Sequence, residues 1–323
     1  MTNTTALWHL SEQESAIRSQ SLPELKADKC RIESLFSLVS SGTESLVANG
    51  EVPTDLHDSM QVPYMEGDFS FPVKYGYSLV GKVVEGSHNL VGQQVHLLHP
   101  HQQHCVVNEA DITIIPAGIP PQRAVLASNV ETALNAIWDS RLSAGDRVLI
   151  IGMGLIGSLV ARLASQFPAT QVSVADTDPA RLALAREQGF SQYEPSDAPF
   201  DVAFHSSGSS AGLQTAIDAV GYEGKVIELS WYGTRSAEVK LGGSFHQQRK
   251  QIISSQVSQL PSHQQSRWDY RRRKQTVLNL LQDDGWDDFL TATVDFPEAP
   301  ALFDKLRQGD RSQLSWTIRY FTA

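Results

Sequence analysis

Arg147-Val148-Leu149-Ile150-Ile151 is a short apolar run, and Gly152-Met153-Gly154-Leu155-Ile156-Gly157 follows it directly. Glycines at this spacing are a weak signal alone, but here the setting matches a physical requirement. A buried strand must turn tightly, which Gly152 permits. Gly154 lets the backbone approach a pyrophosphate, and Gly157 lets the next helix pack close with its N-terminus facing the phosphates. Leu155 and Ile156, between the last two glycines, belong to the same expected cofactor-binding loop. The next apolar strand, Gln171–Ala175, ends at Asp176, 19 residues after Gly157. An acid there accepts hydrogen bonds from ribose hydroxyls and repels a 2′-phosphate, which favours NAD over NADP. Arg181 argues the other way, since a guanidinium near that strand end can tolerate the phosphate. The plainer alternative is a glycine turn in an α/β sheet with no ligand.

Outward from this loop the pattern is helix and strand in alternation. Helices are expected over Pro121–Ser140 and Gly157–Ser165, with strands at Val202–His205, Lys225–Leu229 and Gln251–Ser255. Strands spaced by helices predict a parallel sheet of βαβ crossovers. Residues 1–125 read differently, as short apolar runs such as Ser34–Ser40, Leu79–Glu85 and Gln94–Leu98 between Gly, Pro and Asn punctuation. From Ser266 the rhythm breaks again: a helix over Arg267–Gln282, another over Ala299–Gln308, and a last strand, Ser315–Phe321. That tail is expected to return to the first domain.

Composition narrows the function classes. The 323 residues suggest about two domains. With 26 Lys and Arg against 36 Asp and Glu, the formal charge is −10, which argues against nucleic acid as a partner. The longest nearly apolar run, Val148–Ala161, is too short and glycine-rich for a membrane span. Cys30 and Cys105 are the only cysteines, so neither a disulfide framework nor a four-cysteine metal lobe can form. No basic and apolar leader opens the chain. Together these features point to a reducing cytoplasm.

The chain resembles the medium-chain dehydrogenase/reductase superfamily, that of zinc alcohol dehydrogenases and quinone reductases. Ser41-Gly42-Thr43-Glu44 stands where that family has Cys-Gly-Thr-Asp, and Gly76-Tyr77-Ser78 where it has Gly-His-Glu. Gly92-Gln93-Gln94-Val95 resembles its Gly-Asp-Arg-Val strand entry. Thr132-Ala133-Leu134-Asn135-Ala136 resembles its helix leading into the cofactor domain, and Phe296-Pro297-Glu298-Ala299 its late tail motif. The resemblance implies a Rossmann doubly wound parallel sheet at 126–259. It also implies a β-rich GroES-like catalytic domain assembled from 1–125 and 260–323, and a homodimer paired through sheet edges.

The departures carry the chemistry. The three positions for catalytic zinc read Ser41, Tyr77 and Ser128, and hydroxyls with a phenol cannot replace thiolate, imidazole or carboxylate donors at neutral pH. No metal is therefore expected. Hydrogen-bond donors aimed at the substrate oxygen are the available substitute. The resemblance places Thr43 at the family's proton-relaying hydroxyl, Tyr77 in the vacated metal position, and Thr132 against the nicotinamide ring. The plainer readings are a turn-stabilising Thr43 and a core Tyr77.

His96, His99, His101 and His104 fall within nine residues. A metal site is the obvious thought, but Pro100 and the strand-to-loop change would scatter the rings. His101 is the one expected to act as acid/base in the cleft, because histidine titrates near neutral pH. His205-Ser206-Ser207-Gly208 and Ser230-Trp231-Tyr232 end two strands of the cofactor domain; Ser207 and Ser230 are expected beside the cofactor. Arg267, Arg271 and Lys274 share one helical face, readable as a solvated basic face or as a wall for an anionic substrate.

The expected function is zinc-independent, NAD(H)-dependent interconversion of an alcohol and a carbonyl on a small molecule, by hydride transfer at nicotinamide C4. Within the superfamily the pattern is similar to the branch around bacteriochlorophyllide dehydrogenase. A quinone or enone reductase and a non-catalytic dinucleotide sensor are the alternatives.

Overall fold

The apolar runs Val148–Ile151 and Val202–Phe204 are continuous where a half-exposed strand would alternate, the mark of strands covered on both faces. Val148, Leu149, Ile150, Ala203 and Phe204 are all at 0% exposure in the computed structural model, which describes residues 3–320. They form the centre of a six-stranded sheet in the order Ser191–Gln192, Gln171–Ala175, Arg147–Ile151, Phe200–His205, Val220–Glu228, Gln251–Ser254. Every pairing in it is parallel. Strand order reverses between Arg147–Ile151 and Phe200–His205, the switch point outside whose carboxyl ends such sheets bind ligands. Leu213, Ala216 and Ile217 of the helix Ser210–Ala219 pack on Leu149, Ile151 and Ala203, so the crossover closes one face of the core.

The helix expected over Pro121–Ser140 is two, Pro121–Ala124 and Ala127–Ser140. Between them the Val125 carbonyl accepts from Ser78 Oγ at 2.5 Å. The helix after the glycine loop begins at Leu155, two residues earlier than expected.

The remaining chain is β-rich and antiparallel except for one pair, Ala292–Asp295 with Trp316–Arg319, which runs parallel. Lys29–Val39 is its spine, with Cys30, Ile32 and Ser34 facing inward on alternate positions. It pairs with Leu79–Glu85, His104–Asn108 and the late strand Trp316–Arg319. The larger sheet runs Ala292–Asp295, Trp316–Arg319, Lys29–Val39, Leu79–Glu85, Gln94–Leu97, Thr113–Ile114. A smaller one runs Glu14–Ser21, Asn3–Ser11, Val73–Lys74, Glu66–Gly67. Leu7, Val39, Phe296, Leu302, Phe303 and Ile318 make one core, and Ile32, Leu79, Val95 and Val107 another. The last strand is shorter than Ser315–Phe321, and Phe321 lies outside the described residues.

The described chain divides into two compact units, one of residues up to Ser128 with those from Lys274 onward, the other Asn129–Arg273. Residues 260–273 thus pack with the parallel sheet's unit. Trp268 lies 4.6 Å from Trp138, and Arg273 bonds Glu131, Asn135 and the Val257 carbonyl. Among the described residues no helix is long and apolar enough to cross a membrane, and both cysteines are free and buried.

Candidate active site

The glycine loop is shaped by what its glycines touch. Gly152 has φ +94°, and a Cβ on it would lie 2.7 Å from Ser207 N. A Cβ on Gly157 would lie 1.9 Å from Gly152 O, so only glycine lets the helix Leu155–Ser165 start there. Gly154 is different. The nearest atom to a Cβ there is Arg181 Nη1 at 3.9 Å, so its backbone faces open space. That open N-terminus, capped by no side chain, is the cradle a pyrophosphate requires, and these residues fit a dinucleotide.

Asp176 stands at the end of the Gln171–Ala175 strand with its carboxylate 7% exposed. It accepts from Met153 N at 2.6 Å and from Asp178 N at 2.8 Å, which ties it to the glycine loop. Arg181 Nη1 is 3.7 Å from the same carboxylate. Acid and guanidinium therefore share one corner of the cradle. Thr132 is half-buried on the helix Ala127–Ser140 of the same unit.

Ser207 and Ser230 come together around the strand-end His205. His205 is fully buried and paired in register with Glu228 of the neighbouring strand. Its Nδ1 lies 2.8 and 2.9 Å from the two Glu228 oxygens, and its Nε2 lies 2.7 Å from Ser207 Oγ. Glu228 also accepts from Ser230 N at 2.7 Å and Tyr232 OH at 3.3 Å, while Ser230 Oγ accepts from Gly208 N at 3.1 Å. Burial and the Glu228 charge push the Tyr232 phenol up to about 12. Trp231 is half-buried at the same strand end.

In the other unit, Ser41-Gly42-Thr43-Glu44 is the first turn of a helix, Ser41–Ala48. Tyr77 is hydrogen-bonded to the side chains of Ser40 and Thr43. Burial first, and then the Glu44 charge, pushes its phenol up to about 12, against those two hydrogen bonds. At neutral pH Tyr77 is thus a hydroxyl donor and not a base. The structure brings Thr43 and Tyr77 together.

His101 requires a correction. It was expected to enter the cleft as acid/base, but it is fully buried with both ring nitrogens engaged: Nε2 with Glu44 Oε2 at 2.8 Å, Nδ1 with Ser37 Oγ at 2.7 Å. Ser37 Oγ continues to Tyr320 OH at 2.9 Å, and the other Glu44 oxygen accepts from Ser40 N at 2.8 Å. The ring also underlies the Gly76 turn, where a Cβ would come within 3.0 Å of it. His101 therefore supports the Tyr77 turn from beneath. Glu44, fully buried, is not singled out by the sequence reading; an acid beside the apolar run Leu46–Ala48 is the signal that marks it. Glu228 in Val226-Ile227-Glu228 carries the same signal.

The other histidines diverge. His96 Nε2 is 3.1 Å from Ser78 Oγ and 3.3 Å from Ser128 Oγ, with Nδ1 3.4 Å from Lys274 Nζ. His99 stacks on Tyr64 at 5.3 Å and bonds its neighbour Pro100's carbonyl. Among the described residues no three His, Cys, Asp or Glu side chains are grouped to hold a metal ion. The basic tail does not form one wall either. Arg267 and Arg271 are exposed, Arg272 lies 4.0 Å over Trp268, and Arg273 and Lys274 are buried.

No family model matches the chain. Among curated proteins it is similar to D-guloside 3-dehydrogenase of Escherichia coli (strain K12), 23% identical over 251 residues, covering 71% of this chain and 72% of that one. Among solved structures it is similar to 2R,3R-butanediol dehydrogenase from Bacillus subtilis, with a TM-score of 0.77 and 19% identity over 98% of this chain and 99% of that one. It is also similar to a protein described as a short chain alcohol dehydrogenase from E. coli CFT073, complexed with NADH, with a TM-score of 0.77 and 16% identity over 99% of this chain and 100% of that one. A Rossmann sheet joined in one chain to a GroES-like β-rich unit, a glycine cradle ending in an acid, and dehydrogenase relatives converge on one assignment. The chain has the fold of the medium-chain dehydrogenase/reductase superfamily and is similar in sequence to dehydrogenases.

Proposed function

We propose that this enzyme interconverts an alcohol and a carbonyl on a polyhydroxylated small molecule, with NAD(H) as hydride carrier and without zinc. The observation that carries the reading is Tyr77, a protonated phenol held by Ser40 and Thr43 at the position where relatives of this type keep a metal ligand. A donor so held can stabilise the charge that grows on a carbonyl oxygen, work worth several kcal/mol when a metal does it. The zinc positions Ser41, Tyr77 and Ser128 do not fit the ion, and Ser128 Oγ instead donates to the Tyr77 carbonyl at 2.9 Å. The bound nicotinamide supplies the hydride acceptor or donor. Asp176 supports NAD, and Arg181 beside it leaves a route to NADP. The names of the relatives support a sugar-like substrate, and exposed Arg267 and Arg271 leave room for an anionic one. The terminal strand Gln251–Ser254, with Gln251, Ile252 and Ser254 exposed, supports a homodimer through that edge. The cytoplasm is the proposed compartment.

The test combines metal analysis, NADH and NADPH fluorescence titration, and turnover on a panel of polyols, sugar acids and their ketones. Tighter NADH than NADPH binding, polyol turnover and less than a tenth of a zinc per chain are expected. One zinc per chain would overturn the reading. NADH binding with no turnover across the panel would favour a sensor.

A further inference from the structure

Tyr75 and Tyr77 stand on either side of Gly76, and their rings meet edge to face with centroids 6.1 Å apart. Tyr75 packs on Phe69 at 5.8 Å and Phe69 on His57 at 5.4 Å, so Tyr77 ends a row of four rings. Phe69 and Tyr75 are buried, the latter at 2% exposure. A tyrosine hydroxyl buried this far ordinarily has a hydrogen-bond partner. The Tyr64 hydroxyl meets Asp111 and Asn108, and the Tyr320 hydroxyl meets Ser37. Among the described residues the Tyr75 hydroxyl has no such partner, although its main-chain carbonyl accepts from His101 N at 3.3 Å. Burial first, and then Tyr77 and Glu44, push the Tyr75 phenol well above its ordinary value, so it keeps its proton at neutral pH. Glu44 acts on Tyr77 in the same sense, so both phenols lie within reach of one carboxylate.

We infer that Tyr75 is a specificity-determining residue, its hydroxyl kept for a second oxygen of the substrate whose reacting oxygen meets Tyr77. A buried hydroxyl with no protein partner favours a ligand that supplies one and disfavours a ligand that leaves it bare. Because the two rings touch, the second oxygen belongs on a carbon beside the reacting one. The substrate class is therefore a vicinal diol, oxidised to a hydroxy-ketone, in preference to an alcohol with a single oxygen. The inference rests on the alcohol/carbonyl reading above and narrows its substrate.

Tyr75→Phe removes one hydroxyl and keeps the row of rings. On 2,3-butanediol its kcat/KM should fall about thirtyfold, while on 2-butanol it should stay within about twofold of wild type. NADH affinity should not change. Equal losses on both alcohols would make the residue merely structural, and no loss on either would leave the hydroxyl to solvent; both results would overturn the proposal. Since no protein partner is lost, the urea-unfolding midpoint of Tyr75→Phe should not drop below that of wild type, and a clear drop would reveal an internal partner and overturn it too. A further readout needs no turnover: calorimetric titration of both alcohols into the protein saturated with NADH, which cannot oxidise them. Wild type should bind the diol about tenfold tighter than 2-butanol, and Tyr75→Phe should bind the two alike. Equal or undetectable binding of both by wild type would overturn the role of Tyr75 even where the enzyme turns over other alcohols. The expected binding preference, with no alcohol oxidised, would overturn the dehydrogenase reading instead and uphold Tyr75 as a ligand contact.

Discussion

Two buried histidine–carboxylate pairs, one in each unit, share a chemistry and differ at one end. His101 holds Glu44 on Nε2 and Ser37 on Nδ1; His205 holds Glu228 on Nδ1 and Ser207 on Nε2. Ser37 is fully buried and its hydroxyl runs on to the buried Tyr320, so the first pair is closed at every side. Ser207 is exposed at the glycine loop, so the second pair has a door. The same three residue types are therefore sealed on every side in one place and open at the hydroxyl in the other.

The largest expected effect sets both pairs against the histidines that have no carboxylate. Burial, chiefly, lowers His9 and His99 from 6.5 to about 3. Both are neutral in the folded enzyme, while the unfolded chain takes up their protons below pH 6.5. Stability is whole above pH 6.5 and falls as pH drops toward 3, by at most about 1.4 kcal/mol per pH unit for each ring. Thermal melts from pH 7 to 4 at fixed ionic strength should show a steady loss of Tm; a flat profile would mean that these rings are not buried neutral.

Breaking the closed brace comes next. Glu44→Ala strands His101 and Ser40 N in the core and should cost about 3–5 kcal/mol by urea unfolding. Glu228→Gln, at a site partly open to water, should cost less than half as much. Equal costs would erase the distinction between the closed pair and the open one.

Tyr77→Phe tests what the brace supports. It keeps the ring and removes the donor, so kcat should fall about a hundredfold with NADH affinity unchanged. A change confined to KM would assign Tyr77 to binding alone.

The smallest effect separates the two serines. Ser37→Ala leaves His101 Nδ1 and the Tyr320 hydroxyl short of a partner and should cost about 1–3 kcal/mol. Ser207→Ala should leave unfolding within about 0.5 kcal/mol of wild type. The reverse ranking would sink the comparison.

The legible parts of this molecule are the local ones. Strand, glycine turn and helix are contiguous from Arg147 to Ser165, so apolar runs and glycine spacing suffice to read the cradle and its fold. Thr43 and Tyr77 were reachable by resemblance. His101 was misplaced because its surroundings come from distant chain: Glu44 57 positions away, Ser37 64, and Tyr320 beyond the whole parallel-sheet unit. His205 and Glu228 are 23 apart, joined only by strand register. A single acid in an apolar stretch marks such a partner, but not which histidine it meets.

The pairing of Trp316–Arg319 with Lys29–Val39 sets an order of events at the ribosome. The strand that completes the larger sheet is translated after the whole Asn129–Arg273 unit, at about 5–20 residues per second. The Asn129–Arg273 unit is uninterrupted and can finish while that partner is still being made. Until then one edge of Lys29–Val39 waits with unpaired amides and carbonyls, the interval in which a nascent chain of this design most needs a chaperone.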